Sequence, residues 1–102
     1  MTFLIALLLA SPQVKCQAKP ELQAKAKVTC EAARKTALAK LGGKGLRVKS
    51  AELEEEGGKL VWSFDVKRAG KSGVDEVQVD AADGSVVSSK HETPKQEAKE
   101  KD

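Results

Sequence analysis

Aromatic residues are scarce in this 102-residue chain, which has Phe3, Trp62 and Phe64 but no tyrosine. Proteins that bind single-stranded nucleic acid usually stack its bases on several exposed rings. The chain also has only three arginines, the side chain best suited to hold phosphates in a two-pronged contact. Both shortages argue against nucleic-acid binding, and we predict no partner of that kind.

Histidine is scarcer still, because His91 is the only one. One imidazole cannot form a histidine-rich metal site, and no nucleophile stands near it in the sequence. An acid, a base and a nucleophile therefore cannot be assembled. Asp80 does not start a calcium loop, because Ala82 and Gly84 occupy the third and fifth positions, where such a loop needs acidic side chains. We predict no enzyme activity, no metal and no cofactor.

Long apolar runs are also missing. The longest, FLIALLLA at residues 3–10, is too short at about 1.5 Å per residue to cross a bilayer core of about 30 Å. Its length is typical of a signal-peptide core, although no basic residue precedes it; a buried core helix is the alternative, which the lack of amphipathic pattern disfavours. Small residues at Cys16 and Ala18 predict cleavage between Ala18 and Lys19. We expect a signal peptide over 1–18 and a secreted or periplasmic product.

Cysteine is limited to two residues, and the predicted cleavage would remove Cys16 and leave Cys30 as the only thiol. No disulfide is then expected, even in an oxidising compartment. A bridge between the two would require the first segment to be retained, and we disfavour it. Lys15 argues against a lipid on Cys16. Cys30 is either a small packed side chain or, at a helix start, a reactive thiol, and its apolar surroundings favour packing.

Charge is divided along the chain. Residues 19–50 carry nine basic and two acidic side chains, a net charge of +7, whereas residues 51–89 carry four basic and nine acidic ones, a net charge of −5. The simplest interpretation is a basic helix that neutralises an acidic sheet. The alternative is a basic face that attracts an anionic partner. The run Glu54–Glu56 is interpreted as a solvated hairpin tip, or otherwise as a weak site for a cation or a basic partner.

One helix is predicted, from Cys30 to Leu41. Thr29 is its expected N-cap, Glu31 favours the positive end of the helix dipole, and Gly42-Gly43 ends it. Residues 19–27, which precede it, are polar and predicted to be a linker. Apolar side chains at helical spacing form its inner side: Ala33, Ala37, Leu38 and Leu41.

A meander of three or four antiparallel strands follows, so the expected fold class is α+β with the helix on one face of the sheet. The first strand spans Leu46–Glu55 with a bulge near Ser50, and Gly57-Gly58 turns the chain into the clearest strand, over 60–67. The remaining segments are a strand over Val77–Ala81, a short strand from Val86, and a disordered charged tail over 90–102.

Trp62 is predicted to be a core residue. It alternates with polar neighbours in its strand and shares a face with Leu60, Phe64 and Val66. The small alanines of the helix leave space that a large ring can fill. The alternative is a surface anchor for a partner.

The order of these elements resembles a PepSY domain. The family commonly ends in a Val-Asp-Ala-x-Thr-Gly-x-Val stretch, and this chain has Val79-Asp80-Ala81-Ala82-Asp83-Gly84-Ser85-Val86 in that place. Asp83 stands where threonine is usual, and aspartate serves a turn equally well. The segments VTCEAARKTALAKLGG and LVWSFDV resemble the opening helix and the central strand of the family. The resemblance covers residues 28–89.

This resemblance implies a non-catalytic module. PepSY domains occur in propeptides of thermolysin-like metallopeptidases and in exported or membrane-associated bacterial proteins, where they are thought to inhibit or regulate peptidases or to bind ligands. We therefore expect a binding or regulatory module of the cell envelope that acts in trans on a peptidase. An envelope structural or ligand-binding protein, with a basic helix face towards anionic partners, is the alternative.

Overall fold

The computed structural model describes residues 14–95. The long helix and the four strands after it form where their patterns predict them, with two short elements added before the helix and some strand ends extended. In chain order the elements are β1 (Cys16–Gln17), α1 (Pro20–Gln23), α2 (Cys30–Leu41), β2 (Leu46–Glu56), β3 (Lys59–Arg68), β4 (Val74–Asp80) and β5 (Val86–Glu92).

The strands form one sheet in the order β1-β2-β3-β4-β5. Strands β2 to β5 are an antiparallel meander, whereas β1 runs parallel to β2 along its outer edge. The α+β class and the meander are confirmed. The prediction of one helix and three or four strands missed α1 and β1. Both elements lie in segments whose sequences carry no periodic apolar pattern.

Helix α2 has the predicted bounds and the predicted cap. The Thr29 hydroxyl accepts a hydrogen bond from the Ala32 backbone N–H at 3.1 Å, which satisfies one of the free donors at the helix start. Ala33 and Ala37 are fully buried, so the predicted inner side of the helix does face the sheet. The helix ends at Leu41, where Gly42 follows as C-cap.

The core lies between α2 and one face of the sheet. Trp62 of β3 is 3% exposed and packs with Phe64, which confirms its predicted place in the core. In the sheet register, Trp62 lies between Leu53 of β2 and Val79 of β4. The other buried members of this cluster are Ala33, Ala37, Ala51, Val66, Val77 and Ala81.

Strand β2 contains the predicted bulge. Its pairing with β3 shifts between Val48 and Ser50, which brings Val48 and Leu53 onto the same side of the sheet although their sequence parity differs. The predicted turn at Gly57-Gly58 also forms. Glu54 to Glu56, however, complete β2 and are not part of a solvated loop as expected.

Strand β5 is longer than predicted. It continues through Lys90 and His91 to Glu92, residues that we assigned to a disordered tail. Contacts with β4 order them: His91 Nδ1 lies 2.9 Å from an Asp75 carboxylate oxygen, and Lys90 Nζ lies 3.9 Å from a Glu76 oxygen. Residues 96–102 of the predicted tail lie outside the described residues, as do residues 1–13 of the predicted signal peptide.

The two cysteines form a disulfide, Cys16–Cys30, which corrects the expectation that Cys30 is unpaired. The predicted role of Cys30 as a reactive thiol is therefore wrong in this structure, whereas its predicted packing is confirmed, since Cys30 is partly buried against the core. The pairing was not expected, because the predicted cleavage between Ala18 and Lys19 would remove Cys16 from the chain. Within the fold, β1 brings Cys16 to the first residue of α2.

Candidate functional site

The β4–β5 turn, which carries the family-like sequence motif, is held by its own side chains. Asp80 Oδ1 accepts hydrogen bonds from the backbone N–H groups of Ala82 at 2.7 Å and Asp83 at 3.3 Å. Asp83 Oδ1 in turn accepts from the backbone N–H and the hydroxyl of Ser85, at 2.9 and 2.7 Å. Gly84 has φ +81°, a left-handed conformation that glycine adopts without strain.

These hydrogen bonds also set the charge state of the turn. Backbone donation from Ala82 is the main reason that the pKa of Asp80 lies below its usual value, and Lys59 Nζ, 3.3 Å from Asp80 Oδ2, adds to the effect. Donation from Ser85 lowers the pKa of Asp83 in the same way. Both carboxylates are therefore ionised at neutral pH and accept hydrogen bonds from groups of the same turn. Their role in this structure is to hold the turn together.

The turn positions the start of α2. The Ala81 carbonyl accepts hydrogen bonds from the backbone N–H groups of both Lys27 and Val28, each at 2.9 Å. The Val28 carbonyl accepts a third one from Trp62 Nε1 at 2.8 Å. The motif residues predicted from the sequence and the predicted core tryptophan thus meet at one point, just before Thr29 caps the helix. Sequence reasoning placed Val28 at the domain boundary and gave it no role.

A pocket of about 300 Å³ opens beside this junction. Its wall is somewhat more apolar than polar and includes both disulfide cysteines and Trp62; Lys27 is the only charged residue among those that line it. Such a pocket suits a small apolar group better than a polar substrate. The lining residues are Cys16, Ala18, Gln23, Ala26, Lys27, Val28, Thr29, Cys30 and Trp62.

The pocket was not predicted, because five of its nine lining residues come from the segment before α2 that we interpreted as a signal-peptide end and a linker. The predicted cleavage residues Ala18 and Lys19 lie at this segment: Ala18 packs against the core and lines the pocket, and Lys19 is exposed. The apolar pattern of the segment is too short to indicate a buried side.

The sheet face opposite α2 is acidic. Glu52, Glu54 and Glu56 of β2 project to it, and register places Glu54 opposite Val61 of β3. Burial is the main cause that raises the pKa of Glu54 from 4.5 to about 7, and the charges of Glu52, Glu56 and Glu76 contribute to the same rise. Among residues 14–95, no three acidic, histidine or cysteine side chains are arranged to hold a metal ion.

Basic side chains lie on both sides of the sheet. Lys35, Lys40, Lys44 and Lys49 are all exposed on α2 or on the chain that follows it. On the acidic face, Lys59 and Lys90 form ion pairs with Asp80 and Glu76, so the interpretation of a basic helix holds for α2, whereas the sheet carries charges of both signs. Within the described part of the chain, no helix is long and apolar enough to cross a membrane.

His91 does not belong to a catalytic set that the structure reveals. It lies on β5, opposite Asp75 of β4, and the two side chains contact each other. Among the described contacts, His91 has no serine, threonine or cysteine partner, and its pairing fastens the end of β5 to the start of β4.

The fold and the junction define a small α+β module in which the long helix is held on a meander sheet by hydrogen bonds among Ala81, Val28 and Trp62. Residues 27–90 match the family described as peptidase propeptide and YPEB domain, PepSY. The match spans more than half of the chain, and the chain belongs to the PepSY family. No curated protein and no solved structure matches it.

The family match covers α2 and nearly all of the antiparallel meander. It begins at Lys27, whose N–H contacts Ala81, and it ends at Lys90 within β5. PepSY domains are generally non-catalytic modules of the propeptide or inhibitor type, which agrees with a junction whose polar groups bond to one another. Segments 14–26 and 91–95 of the described chain lie outside the match.

Proposed function

We propose that the protein is an exported, non-catalytic module that binds a peptidase of the cell envelope and inhibits or regulates it. The observation that carries this proposal is the PepSY match over residues 27–90, which contains α2 and nearly all of β2 to β5. The protein acts in trans on this peptidase, and its export relies on the apolar N-terminal run. Oxidised Cys16 and Cys30 support an oxidising compartment outside the cytosol.

The geometry supports binding in preference to catalysis. The polar groups of the β4–β5 turn are used to hold that turn and the helix start. The pocket beside the turn, by contrast, is open and mainly apolar, so that an apolar side chain of a partner would bury its surface there. Exposed Gln23 and Lys27 at its rim would add polar contacts.

An inhibition assay tests the proposal. The oxidised protein is titrated into secreted metallopeptidases of the thermolysin type, and hydrolysis of a short peptide is followed. We expect saturable inhibition of at least one enzyme, and weaker inhibition by the variant Gln23→Ala/Lys27→Ala. The matched control, Lys35→Ala/Lys40→Ala, removes exposed side chains away from the pocket and should inhibit like the wild type. Degradation of the protein as a substrate, without inhibition, would contradict the proposal.

The charge distribution favours a second candidate function, attachment to an anionic polymer or lipid of the envelope. The exposed lysines of α2 and the following chain lie on one side, and the acidic sheet face lies on the other. An anionic surface would therefore orient the molecule with its helix inward. Retention on vesicles of anionic lipid should fall as salt rises from 0.05 to roughly 0.5 M. Lys35→Gln/Lys40→Gln should weaken retention more than Lys71→Gln/Lys95→Gln, and equal retention on neutral vesicles would exclude this function.

A further inference from the structure

The segment that our sequence analysis removed with the signal peptide is part of the folded domain. Val14 and Ala18 pack against the hydrophobic core. Between them, Cys16 and Gln17 pair with Ala51 and Glu52 of β2 and add a parallel fifth strand to the sheet. The residues before and after β1 therefore pack on the core, and the backbone of β1 pairs with β2.

Two contacts join this segment to α2. Cys16 is bonded to Cys30 at the first residue of the helix. One turn later, Arg34 Nη2 donates to the Val14 carbonyl at 3.1 Å and lies 3.4 Å from Cys16 Sγ. Because a ladder of two residue pairs is too short to hold a strand on its own, these contacts decide whether β1 stays on the edge of β2.

Without β1, strand β2 would be the outermost strand at this end of the sheet. An uncovered strand presents unpaired N–H and C=O groups on which other chains can add. β2 is the longest strand of the described chain, with 11 residues, and its buried residues Ala51 and Leu53 lie in the stretch beside β1. Loss of β1 would expose this stretch of edge and one side of the pocket together.

We propose that the mature exported protein retains Val14–Ala18, and that oxidation of Cys16 and Cys30 after export completes the sheet by locking β1 onto β2. This goes beyond the proposed function: it rests on the export that the proposed function includes but not on peptidase binding, because it concerns how the domain is processed and closed. It also replaces cleavage between Ala18 and Lys19 with processing that leaves Cys16 on the chain.

The bond forms by thiol–disulfide exchange with a disulfide-carrying oxidoreductase of the export compartment. The thiolate of one cysteine attacks the disulfide of that donor and releases one donor thiol, and the second cysteine thiolate then attacks the mixed disulfide. The donor leaves as a dithiol. Two electrons and two protons have passed from the cysteine pair to the donor, and the Cys16–Cys30 bond is the product.

Mass spectrometry of the exported full-length gene product gives the first test. The purified protein is treated with an alkylating reagent before and after reduction. We expect an N-terminus at or before Val14, no alkylation of the unreduced protein, and alkylation of both cysteines after reduction. A product that begins at Lys19, or alkylation of Cys30 without reductant, would overturn the proposal.

Hydrogen exchange tests the role of the bridge at the sheet edge. In Cys16→Ser/Cys30→Ser, exchange at residues 50–53 should speed up, relative to the oxidised wild type, by a factor at least roughly tenfold larger than at residues 61–66 of β3, whose exchange reports only the loss of global stability. Wild type with reductant should behave like the variant. Unchanged exchange at 50–53, or an equal acceleration at 61–66, would show that the bridge does not close this edge.

Discussion

Trp62 Nε1 donates a hydrogen bond to the Val28 carbonyl at 2.8 Å, so the ring that fills the core also fixes the start of α2. Val28 in turn is held by Ala81, in the turn that carries the family motif. One tryptophan therefore links the central strand, the helix and the β4–β5 turn. A single aromatic ring of the described residues therefore helps to fix the position of α2 on the sheet.

Replacement of Trp62 separates packing from hydrogen bonding. Trp62→Ala should lower the free energy of unfolding by about 3–5 kcal/mol, because it leaves a cavity. Trp62→Phe keeps most of the apolar volume but leaves the Val28 carbonyl without this donor, a loss of about 1–3 kcal/mol. Urea unfolding followed by circular dichroism measures both. Val87→Ala, at an exposed site, is the control, and a Trp62→Ala midpoint equal to that of the control would contradict the core role.

Asp80 should make the protein sensitive to acid. Its pKa is lowered in the folded state, so the stabilisation that it provides is present above its usual value of 3.8 and is lost as the pH falls through the lower folded value. We expect Asp80→Asn to melt at a lower temperature than the wild type at pH 7, and the difference to shrink at the acid end. Glu55→Gln is the control, since Glu55 makes only a 3.9 Å exposed ion pair. A difference that is constant with pH would contradict the role of the ionised carboxylate.

Glu54 should make the protein less stable as the pH rises, opposite to the effect of Asp80. Its pKa is raised from 4.5 to about 7, so the folded protein holds a proton that the unfolded chain releases, and stability falls as the pH rises through this window. Glu54→Gln removes the change in charge and should stabilise the protein at pH 8 by about 1 kcal/mol, a figure reduced for solvent screening. Thermal melts at pH 5 and pH 8 measure it. If the variant gains as much at pH 5 as at pH 8, the effect is not due to ionisation.

The disulfide should contribute measurably to stability. It closes a loop with a sequence separation of 14, for which the restricted unfolded chain predicts about 2–3 kcal/mol. Reductant should therefore move the urea midpoint of the wild type downward. Cys16→Ser/Cys30→Ser should unfold at the reduced midpoint with or without reductant. A wild-type midpoint that does not respond to reduction would show that the bridge adds no net stability.

Two glycines of the β3–β4 connection test whether β5 is ordered to its end. Gly70 and Gly73 both have positive φ, at +78° and +82°, but a Cβ on Gly70 meets open space, whereas one on Gly73 would collide with the Glu92 carbonyl oxygen. Gly70→Ala should cost about 1–2 kcal/mol from backbone strain alone, and Gly73→Ala should cost more. Equal losses in urea unfolding would mean that Glu92 does not rest against this glycine in solution.

The parts of the fold that were predicted correctly depend on local chemistry. Thr29 and Gly42 mark the ends of α2 because a cap and a terminating glycine act within one turn of the helix. The alternation around Trp62 and Phe64 indicates a strand because side chains alternate across a sheet, although Val61 and Ser63 on the opposite face are buried as well. The β4–β5 turn follows from Asp80, whose side chain bonds to the backbone only two and three residues ahead.

The candidate site could be predicted only in part. Asp80, Asp83 and Gly84 were recognised as a turn, and Trp62 as a core residue. Their meeting with Val28 was not predictable, because the contact spans a separation of 34 residues and depends on how the helix lies across the sheet. The pocket was missed for the same reason, since it lies between segments that have no regular pattern of their own.

The sequence by itself determined the helix, the meander and the division of charge, because each follows from side-chain periodicity or composition over neighbouring residues. Tertiary structure alone decided that Cys16 meets Cys30, that β1 covers the edge of β2, and that β5 extends to Glu92. A strand of two residues has too few local interactions to be stable before its partner is in place, and a strand end held by Asp75 is ordered only once β4 lies beside it. These elements are stabilised by contacts with a neighbouring strand or helix, and the position of that neighbour depends on the whole fold.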